Sequence, residues 1–322
     1  MSLNNNDINN ISGVINIYKE KGFTSHDVVN IVRKNLNRIK TGHTGTLDPD
    51  AIGVLPICIG KATKLADYIA SSTKEYKAVV SLGKTTTTQD ASGEVLKEAP
   101  VICSQEDITE VVSSFVGEIL QVPPMYSAIK VNGKKLYELA REGKEIERKK
   151  RSIHIYSISV GDINLNLNNS NKFEFEMTVL CSKGTYIRTL CYDIGEKLGC
   201  GAYMESLVRT KSGNFNIESA IKLEDFIAMV NSGDFDFNNN NLILSMSDIL
   251  KGYPTCIVTK QASKFLYNGN KISSNYVKFS DNNKNNSDNS GDDKIVVYDE
   301  DGLLIGIYQQ VDAFIKPVTM LI

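Results

Sequence analysis

Residues 42–56 read GHTGTLDPDAIGVLP, and this stretch carries the strongest signal in the sequence. One carboxylate, Asp48, lies between glycines that let a backbone approach a substrate, and Pro49 stiffens the chain that follows it. Taken alone, a carboxylate in such a turn usually caps a helix or closes an Asx turn. Residues 41–60 are dense in Gly, Thr, Asp and Pro and carry little periodic apolar sequence, so we predict a shaped loop there.

The sequence around this loop predicts a mixture of strands and helices. A strand over residues 13–19 precedes a helix that begins near Thr24, because Thr24 and Asp27 form a capping-box pattern. Residues 173–181 alternate apolar and polar side chains, which predicts a strand with one buried face. A helix follows and ends at Gly199. Since the elements do not alternate regularly, we predict an α+β fold with a mixed or antiparallel sheet.

The last third of the chain predicts a second, smaller domain. Residues 232–245 are rich in Gly, Asp and Asn, which is typical of a linker. Residues 246–322 contain several short strand patterns and a hairpin turn at 299–302, which predict a small β-barrel. Residues 280–293 are low-complexity Asn, Asp and Ser, and we expect a disordered loop there. A chain of 322 residues is long enough for one large and one small core.

The charge distribution is uneven. A net charge of −2 argues against a nucleic-acid partner, because phosphate binding depends on Lys and Arg. Residues 130–151, however, contain nine basic and four acidic side chains, a local excess of five. Such a stretch is either a solvated helix face with i,i+4 ion pairs or a surface that binds phosphates.

Cysteine and histidine give no sign of a metal site or of disulfide bonds. The six cysteines are scattered and form no C-x-x-C pair, so we expect reduced core residues. The three histidines are too dispersed to complete a zinc site with them. The chain shows no apolar run of membrane-spanning length and no signal-peptide pattern at its start. We therefore expect a cytoplasmic protein that uses no cofactor and no metal and contacts no membrane.

Five sequence blocks resemble the TruB family of tRNA pseudouridine synthases, in the order and approximate spacing of that family. The resemblance spans about residues 11–225. It implies a catalytic domain at residues 11–231 with an RNA-gripping insertion at 123–151, a linker at 232–245, and a barrel at 246–322 that resembles a PUA RNA-binding domain. The five blocks are residues 42–56, 74–77 (KEYK), 122–133 (VPPMYSAIKVNG), 181–188 (CSKGTYIR) and 207–209 (LVR).

The resemblance also implies roles for individual residues. Asp48 corresponds to the catalytic carboxylate, which attacks the sugar at C1′ or assists departure of the uracil. Arg188 is expected to pair with Asp48 through two parallel hydrogen bonds and to keep it ionised. Tyr76 corresponds to the tyrosine that stacks on the target base and is the candidate for proton removal. Tyr186 is expected to pack nearby, and Leu207 to form part of an apolar wall.

Further residues are implied to contact the RNA. His43 corresponds to the residue that fills the space left when the uridine is flipped out of the T loop. Lys130, Lys149 and Lys150 belong to the insertion that is implied to read phosphates and shape. Lys19 is implied to contact the substrate side of the site. The family usually carries proline after this lysine, whereas Glu20 stands there here, so the wall packing of that proline is not expected.

Other functions compete with tRNA uridine isomerisation. A protein that binds or folds tRNA on the same scaffold would not require Asp48, Tyr76 and Arg188. A guide-RNA-dependent synthase lacks the insertion and often has a Lys-rich tail, and this chain has the insertion and ends in VTMLI. A retaining glycosidase needs two opposed carboxylates, and Asp50 is the only close candidate. We therefore predict an enzyme that acts on the tRNA T arm at position 55, without a guide RNA and as a monomer.

Overall fold

A computed structural model describes residues 11–131, 133–165, 173–232, 242–280 and 294–322. The described α-helices are α1 (Ser25–Asn35), α2 (Ala66–Ala70), α3 (Gln105–Ser113), α4 (Leu136–Arg141), α5 (Ile187–Leu198), α6 (Leu223–Ser232), α7 (Met246–Ile249) and α8 (Ser263–Tyr267). The strands are β1 (Gly13–Lys19), β2 (Thr41–His43), β3 (Ile52–Ile59), β4 (Lys74–Leu82), β5 (Lys84–Thr86), β6 (Val95–Glu98), β7 (Gly117–Gln121), β8 (Lys130–Val131), β9 (Lys134–Lys135), β10 (Arg151–Asn164), β11 (Phe173–Cys181), β12 (Ala202–Ser212), β13 (Phe215–Asn216), β14 (Ile221–Lys222), β15 (Ile243–Ser245), β16 (Thr255–Val258), β17 (Ile272–Ser273), β18 (Val277–Phe279), β19 (Lys294–Asp299), β20 (Leu304–Val311) and β21 (Phe314–Met320).

Most of the strands up to β15 form one mixed sheet, which confirms the predicted α+β class. Its main path runs in the order β14, β1, β3, β12, β4, β11, β10, β7, while β2, β13 and β15 pair with β3, β12 and β1. The pairs β1/β14 and β3/β12 are parallel, and the neighbours along the rest of the path are antiparallel. Two short hairpins, β5/β6 and β8/β9, stand apart from this sheet.

Short sequence patterns correctly predicted the positions of several helices and strands. The Thr24 side chain accepts a hydrogen bond from the Asp27 amide, and the Asp27 side chain accepts one from the Thr24 amide, so the capping box at the start of α1 is confirmed. Strand β11 spans the predicted residues, with its apolar side chains inward. Helix α5 ends at Gly199, which adopts a left-handed conformation with φ of 80° that glycine accommodates without steric cost.

The prediction that residues 41–60 form one loop was wrong at both ends, because residues 41–43 form β2 as well. Residues 52–59 form β3, whose last seven residues are buried. Strand β3 pairs with β1 along its whole length, with β12 at its start and with β2 at its end. Pro56 lies between those last two partners, and a proline within an apolar run argues against a central strand when the sequence is read alone. Only residues 44–51 form the predicted loop.

The predicted linker at residues 232–245 also requires a correction. Residues 243–245 form β15 and pair antiparallel with residues 13–15 of β1, so this end of the range belongs to the large sheet. Helix α6 includes Ser232 at the other end. Residues 233–241 lie outside the described residues, as do residues 281–293, which make up most of the predicted disordered loop.

Helices cover the two ends of one face of the large sheet. Helices α1 and α6 pack over β1 and β3 through a cluster that includes Val28, Phe226 and Ile57. Helix α5 and the buried side of α3 pack over β4, β10 and β11 through a second cluster. Arg209 of β12 lies between these two groups and pairs in register with Tyr76 of β4. The loop of residues 44–51 covers the sheet at this central position, where Leu47 joins the second cluster.

The C-terminal residues form the predicted barrel-like sheet. Six strands run in the order β17, β21, β20, β19, β16, β18 around their own apolar core. A third cluster joins this sheet to the opposite face of the large sheet, because Val54 and Cys58 of β3 pack with Val296 and Ile307 of the barrel. Among the described residues, no helix combines the length and the apolar character that crossing a bilayer requires.

Substitution of Gly53 tests the close approach of the parallel strands β3 and β12. Its φ is +105°, and an added Cβ would lie 2.3 Å from the carbonyl oxygen of Arg209. We expect Gly53→Ala to lower the free energy of unfolding by about 3 kcal/mol or more, since backbone strain and overlap with a neighbouring backbone add. Gly22 also has a positive φ, of +90°, but nothing within 4 Å of an added Cβ. Gly22→Ala should therefore lose only about 1 kcal/mol in denaturant unfolding, and equal losses would contradict the steric explanation.

Candidate active site

Asp48 lies on a loop that is held to the sheet and to α1 on both sides of the carboxylate. Before it, the Ser25 hydroxyl donates to the Leu47 carbonyl at 3.1 Å and accepts from the Leu47 amide at 2.8 Å. After it, the Pro49 carbonyl accepts from the Gly22 amide at 2.9 Å and from the Lys19 ammonium at 3.0 Å. These contacts fix the backbone, so the Asp48 side chain projects from a rigid support.

Arg188 supplies the charge partner of Asp48. Its guanidinium Nη2 lies 3.3 Å from Oδ2 of Asp48, and Nη1 lies 3.5 Å from Oδ2 of Asp90. Nη2 also donates to the carbonyl of Tyr126 at 2.7 Å. The expected bidentate pairing with Asp48 is therefore corrected: one buried guanidinium is shared by two carboxylates and a carbonyl. The first turn of α5 holds Arg188 in this position.

The groups around Asp48 shift the pKa of its carboxyl in opposite directions. Burial is the largest effect and raises the pKa of the Asp48 carboxyl above its ordinary value, and the Arg188 guanidinium opposes this rise. Asp90 and Asp50 raise the pKa further, whereas Lys19 lowers it. The Asp48 side chain nevertheless exposes 41% of its surface, so a substrate can reach it. A reachable carboxyl with a shifted pKa is a common property of catalytic sites.

Tyr76 and Leu207 lie on neighbouring strands beside this loop. Tyr76 pairs with Arg209, and Leu207 pairs with Ala78 on the same face of the sheet. Leu207 is buried within the apolar cluster against which Tyr76 packs. Burial raises the pKa of the Tyr76 phenol, while the Arg209 guanidinium beside it acts in the opposite direction. Tyr76 is therefore a neutral phenol at neutral pH, with a cation nearby that would stabilise a phenolate if one formed.

Arg209 belongs to the LVR block, but the resemblance implied no role for it. Its side chain is 1% exposed. Nε donates to the Val54 carbonyl at 2.7 Å and Nη2 to the Gly45 carbonyl at 3.2 Å. Arg209, a residue of β12, thus connects the Asp48 loop to β3 through these two bonds. Its side chain lies beside Tyr76.

Lys19 does not reach the surface, although it was expected to contact the substrate. It is fully buried, and its ammonium donates to the carbonyls of Glu20, Phe23 and Pro49 at 3.1, 2.7 and 3.0 Å. Burial lowers its pKa to about 8. The bonds to these carbonyls support the Asp48 loop from inside the protein, so Lys19 acts on the site through the backbone.

His43 and Tyr186 flank the central residues. The Nδ1 atom of His43 accepts a hydrogen bond from the Gly45 amide at 3.3 Å. Burial, with smaller contributions from Arg209 and His26, lowers the pKa of His43, which favours the neutral imidazole. Tyr186 is the residue immediately before α5, and its ring centroid lies 5.9 Å from the guanidinium carbon of Arg188.

Most basic residues of the insertion lie at the surface. Lys130 pairs with Lys135 in the β8/β9 hairpin, and Lys149 and Lys150 are exposed in the segment just before β10. Within the described residues, no carboxylate forms a salt bridge with these last two lysines, whereas Lys134 and Lys144 both pair with Glu142 at 3.2 and 2.8 Å. The insertion therefore presents cations that could bind phosphates.

Comparison with known proteins identifies the family of this chain. The N-terminal domain of the TruB family pseudouridylate synthases matches residues 33–187, and the C-terminal domain of tRNA pseudouridylate synthase B matches residues 188–251. The chain belongs to the TruB family of pseudouridylate synthases. A protein named tRNA pseudouridine synthase B from Alkaliphilus oremlandii is 50% identical over 267 residues, which cover 83% of this chain and 85% of the relative. A protein of the same name from Clostridium perfringens is 44% identical over 298 residues, 92% and 94% of the two chains.

Solved structures of related proteins share the fold. A chain in the crystal structure of a Cbf5-Nop10-Gar1 complex superposes with a TM-score of 0.71 and 26% identity, over 96% of this chain and 85% of that chain. A chain in an H/ACA RNP bound to a substrate RNA containing 2′-deoxyuridine gives a TM-score of 0.70 at 24% identity, over 96% and 85%. The likeness to the TruB proteins is thus much higher in sequence than the likeness to these chains.

The TruB motifs did not predict two partners of Arg188, the Asp90 side chain and the carbonyl of Tyr126. Asp90 holds a turn, because its Oδ1 accepts from Thr88 and Ser92. Its other oxygen faces Arg188. Tyr126 contributes a backbone carbonyl, which no side-chain pattern can reveal. Among the described residues, no group of three or more His, Cys, Asp or Glu side chains is placed to hold a metal ion.

From the charges around Asp48, we predict that two variants of this TruB protein shift the Asp48 pKa in opposite directions. Replacing Arg188 with Gln removes the cation that lowers the Asp48 pKa, so that pKa should rise. Replacing Asp90 with Asn removes a carboxylate that raises it, so that pKa should fall. Carbon-13 NMR titration of the aspartate carboxyls would measure both. Asp50→Asn is the control and should give a smaller fall, because Asp50 is the weaker of the two raising charges. Shifts of the Asp48 pKa in the same direction for Arg188→Gln and Asp90→Asn would contradict this charge balance.

Proposed function

We propose that this protein isomerises uridine to pseudouridine in the T loop of tRNA, at position 55, and that Asp48 is its catalytic carboxylate. The ion pair between Asp48 and Arg188 carries the proposal, because it joins two of the TruB motifs around one accessible carboxylate. The names of the relatives, tRNA pseudouridine synthase B, support tRNA as the substrate. Residues 11–231 would form the catalytic domain, and residues 246–322 a PUA-like domain that contacts RNA.

The reaction breaks the bond between C1′ of the ribose and N1 of the uracil. The uracil then rotates, C5 bonds to C1′, C5 loses its proton and N1 gains one. Asp48 either bonds to C1′ or stabilises the positive charge that develops there. Its contact with Arg188 uses Oδ2, which leaves the other oxygen for the sugar. Arg188 favours the ionised form that both routes require.

The surrounding residues receive the remaining roles. Tyr76 stacks on the flipped uracil and is the candidate for removal of the C5 proton. Its phenol first gives its own proton to N1, and the phenolate, which Arg209 is placed to stabilise, then accepts the proton from C5. Leu207 and Tyr186 limit the space around the base. His43, as a neutral ring, fills the space that the uridine leaves in the RNA. Lys130, Lys149 and Lys150 bind phosphates of the T arm.

Two alternatives lead to different results with purified components. A guide-RNA-dependent synthase would need a guide RNA. The chain is 44–50% identical to proteins named tRNA pseudouridine synthase B, and 26% and 24% identical to the chains from the Cbf5-Nop10-Gar1 complex and the H/ACA RNP. A tRNA-folding protein without chemistry would bind tRNA and leave its uridines unchanged. We expect the purified protein, alone and without cofactor, to form pseudouridine at one T-loop position of an unmodified tRNA transcript.

Asp48→Asn tests the role of the carboxylate. The amide preserves the shape of the side chain but can neither attack C1′ nor balance positive charge there. We expect pseudouridine formation to fall below detection while the dissociation constant for tRNA changes by only a few-fold. Asp50→Asn is the matched control and should keep normal turnover, because Asp50 lies on the same loop but does not contact Arg188. Normal turnover by Asp48→Asn would refute the proposed mechanism.

Charge reversal at Lys149 and Lys150 tests the insertion. The double change to Glu should weaken tRNA binding and reduce the slope of log K against log salt, by roughly 0.9 for each phosphate that the variant no longer neutralises. Lys84 and Lys222 are the control pair, because each already lies next to a carboxylate, at 2.8 and 3.8 Å. Their reversal gives the same change in net charge and should leave the slope nearly unchanged. An unchanged slope for Lys149 and Lys150 would remove this segment from the interface.

A further inference from the structure

Gln121 occupies the point where the insertion leaves the large sheet. It is the last residue of the edge strand β7, and it pairs directly with Arg151, the first residue of β10. Residues 122–150 therefore leave the sheet and return to it at a single pair of residues. Neither the TruB motifs nor the mechanism above uses the Gln121 side chain.

Both ends of the Gln121 amide are bonded to one residue's backbone. Its Nε2 donates to the carbonyl of Tyr186 at 3.0 Å, and its Oε1 accepts from the amide of Tyr186 at 2.9 Å. The side chain is 2% exposed, so water does not compete for these bonds. Glutamine is suited to this position because its amide both donates and accepts.

Tyr186 needs such a partner because of its place at the start of α5. It is the residue at the helix N-cap, and no side chain caps the helix there. Its carbonyl also accepts the first hydrogen bond of the helix, from Leu190 at 3.0 Å. Gln121 therefore fixes the start of α5 relative to β7, and Arg188 follows only two residues later.

The insertion also reaches Arg188 directly. Tyr126, five residues after Gln121, accepts from Nη2 of Arg188 through its carbonyl at 2.7 Å. Three buried polar atoms at this junction have no partner among the described residues: Oγ of Ser127, Nε of Arg148 and Nε of Arg188. Other hydrogen bonds also hold this junction, such as that from Nη1 of Arg148 to the carbonyl of Pro123 at 3.2 Å. The two bonds of the Gln121 amide are the ones that join β7 directly to the start of α5.

We propose that Gln121 is a positioning residue, which fixes Arg188 beside Asp48 and links Arg188 to the point where the insertion begins. The proposal rests on the proposed function, in which Asp48 and Arg188 are catalytic. Gln121 does not touch the reacting atoms, and it acts through the Tyr186 backbone. A movement of the insertion when it binds RNA would be transmitted to the Asp48–Arg188 ion pair through this amide and through the Tyr126 carbonyl.

Gln121→Met is the first test, since methionine has a similar length and makes neither hydrogen bond. We expect the single-turnover rate on saturating tRNA to fall by about 10- to 100-fold, because small displacements of a catalytic group cost this much. The dissociation constant for tRNA should stay within about three-fold, because the phosphate-binding lysines remain. Gln121→Glu keeps the acceptor for the Tyr186 amide and loses the donor, so its rate should fall between those of Met and the native residue.

A control variant separates positioning from a general loss of stability. Ile194 lies in the buried middle of the same helix, and Ile194→Val loosens its packing without touching its start. We expect Ile194→Val to lower the melting temperature while the single-turnover rate stays within two-fold. Should Gln121→Met fail to fold, Gln121→Leu carries the same comparison, because leucine also makes neither hydrogen bond and adds no charge.

The Asp48 pKa gives a readout that does not depend on activity. The charges that act on it are those of Arg188, Asp90, Lys19 and Asp50, and none of these residues is altered in Gln121→Met. If Arg188 moves away, the pKa of Asp48 measured by carbon-13 NMR should rise above that of the native protein, and Ile194→Val should leave it unchanged. An unchanged pKa together with an unchanged rate would overturn the proposal, as would weaker tRNA binding at a native rate. If the native protein makes no pseudouridine, the proposed function fails, and the NMR comparison still decides whether Gln121 positions Arg188.

Discussion

The site depends on one buried guanidinium that has to serve two carboxylates. Arg188 lies 3.3 Å from Asp48 and 3.5 Å from Asp90, so neither carboxylate has the cation to itself. Burial favours the neutral form of Asp48 and the cation favours its ionised form, which leaves its charge sensitive to small movements of Arg188. A full bidentate pair would stabilise the ionised carboxylate more strongly, but it would occupy both oxygens. Sharing the cation leaves an oxygen of Asp48 for chemistry at C1′.

The other buried cations near the site, Lys19 and Arg209, hold the Asp48 loop through backbone carbonyls. Lys19 donates to three carbonyls, and Arg209 donates to those of Val54 and Gly45. A buried charge without partners would be costly, and carbonyl dipoles satisfy it without supplying a titrating group. Both side chains thereby fix the loop that carries Asp48. Together with the Ser25 hydroxyl, these cations hold the loop of residues 44–51 to the sheet and to α1.

The parts of the fold that the sequence predicted are those that rest on neighbouring residues. The capping box at Thr24, the alternating pattern of residues 173–181 and the stop at Gly199 each need only a few consecutive residues. Strand β3 was missed because Pro56 interrupts its apolar run, and its pairing depends on three strands far apart in sequence. In the site, the contact of Arg188 with Asp48 followed from the family motifs, whereas its contacts with Asp90 and with a backbone carbonyl did not. A carbonyl acceptor is available at every residue, so no sequence pattern marks the one that is used.

The departure at Glu20 illustrates the same distinction between side chain and backbone. The TruB family usually has proline after the lysine, and here glutamate follows Lys19. The Lys19 ammonium bonds to the carbonyl of residue 20 at 3.1 Å, not to its side chain. Proline lacks the amide hydrogen but keeps its carbonyl, so either residue provides this acceptor. The Glu20 side chain is partly exposed. The bond from Lys19 that helps to support the Asp48 loop is therefore open to either residue at this position, because the acceptor is a backbone oxygen.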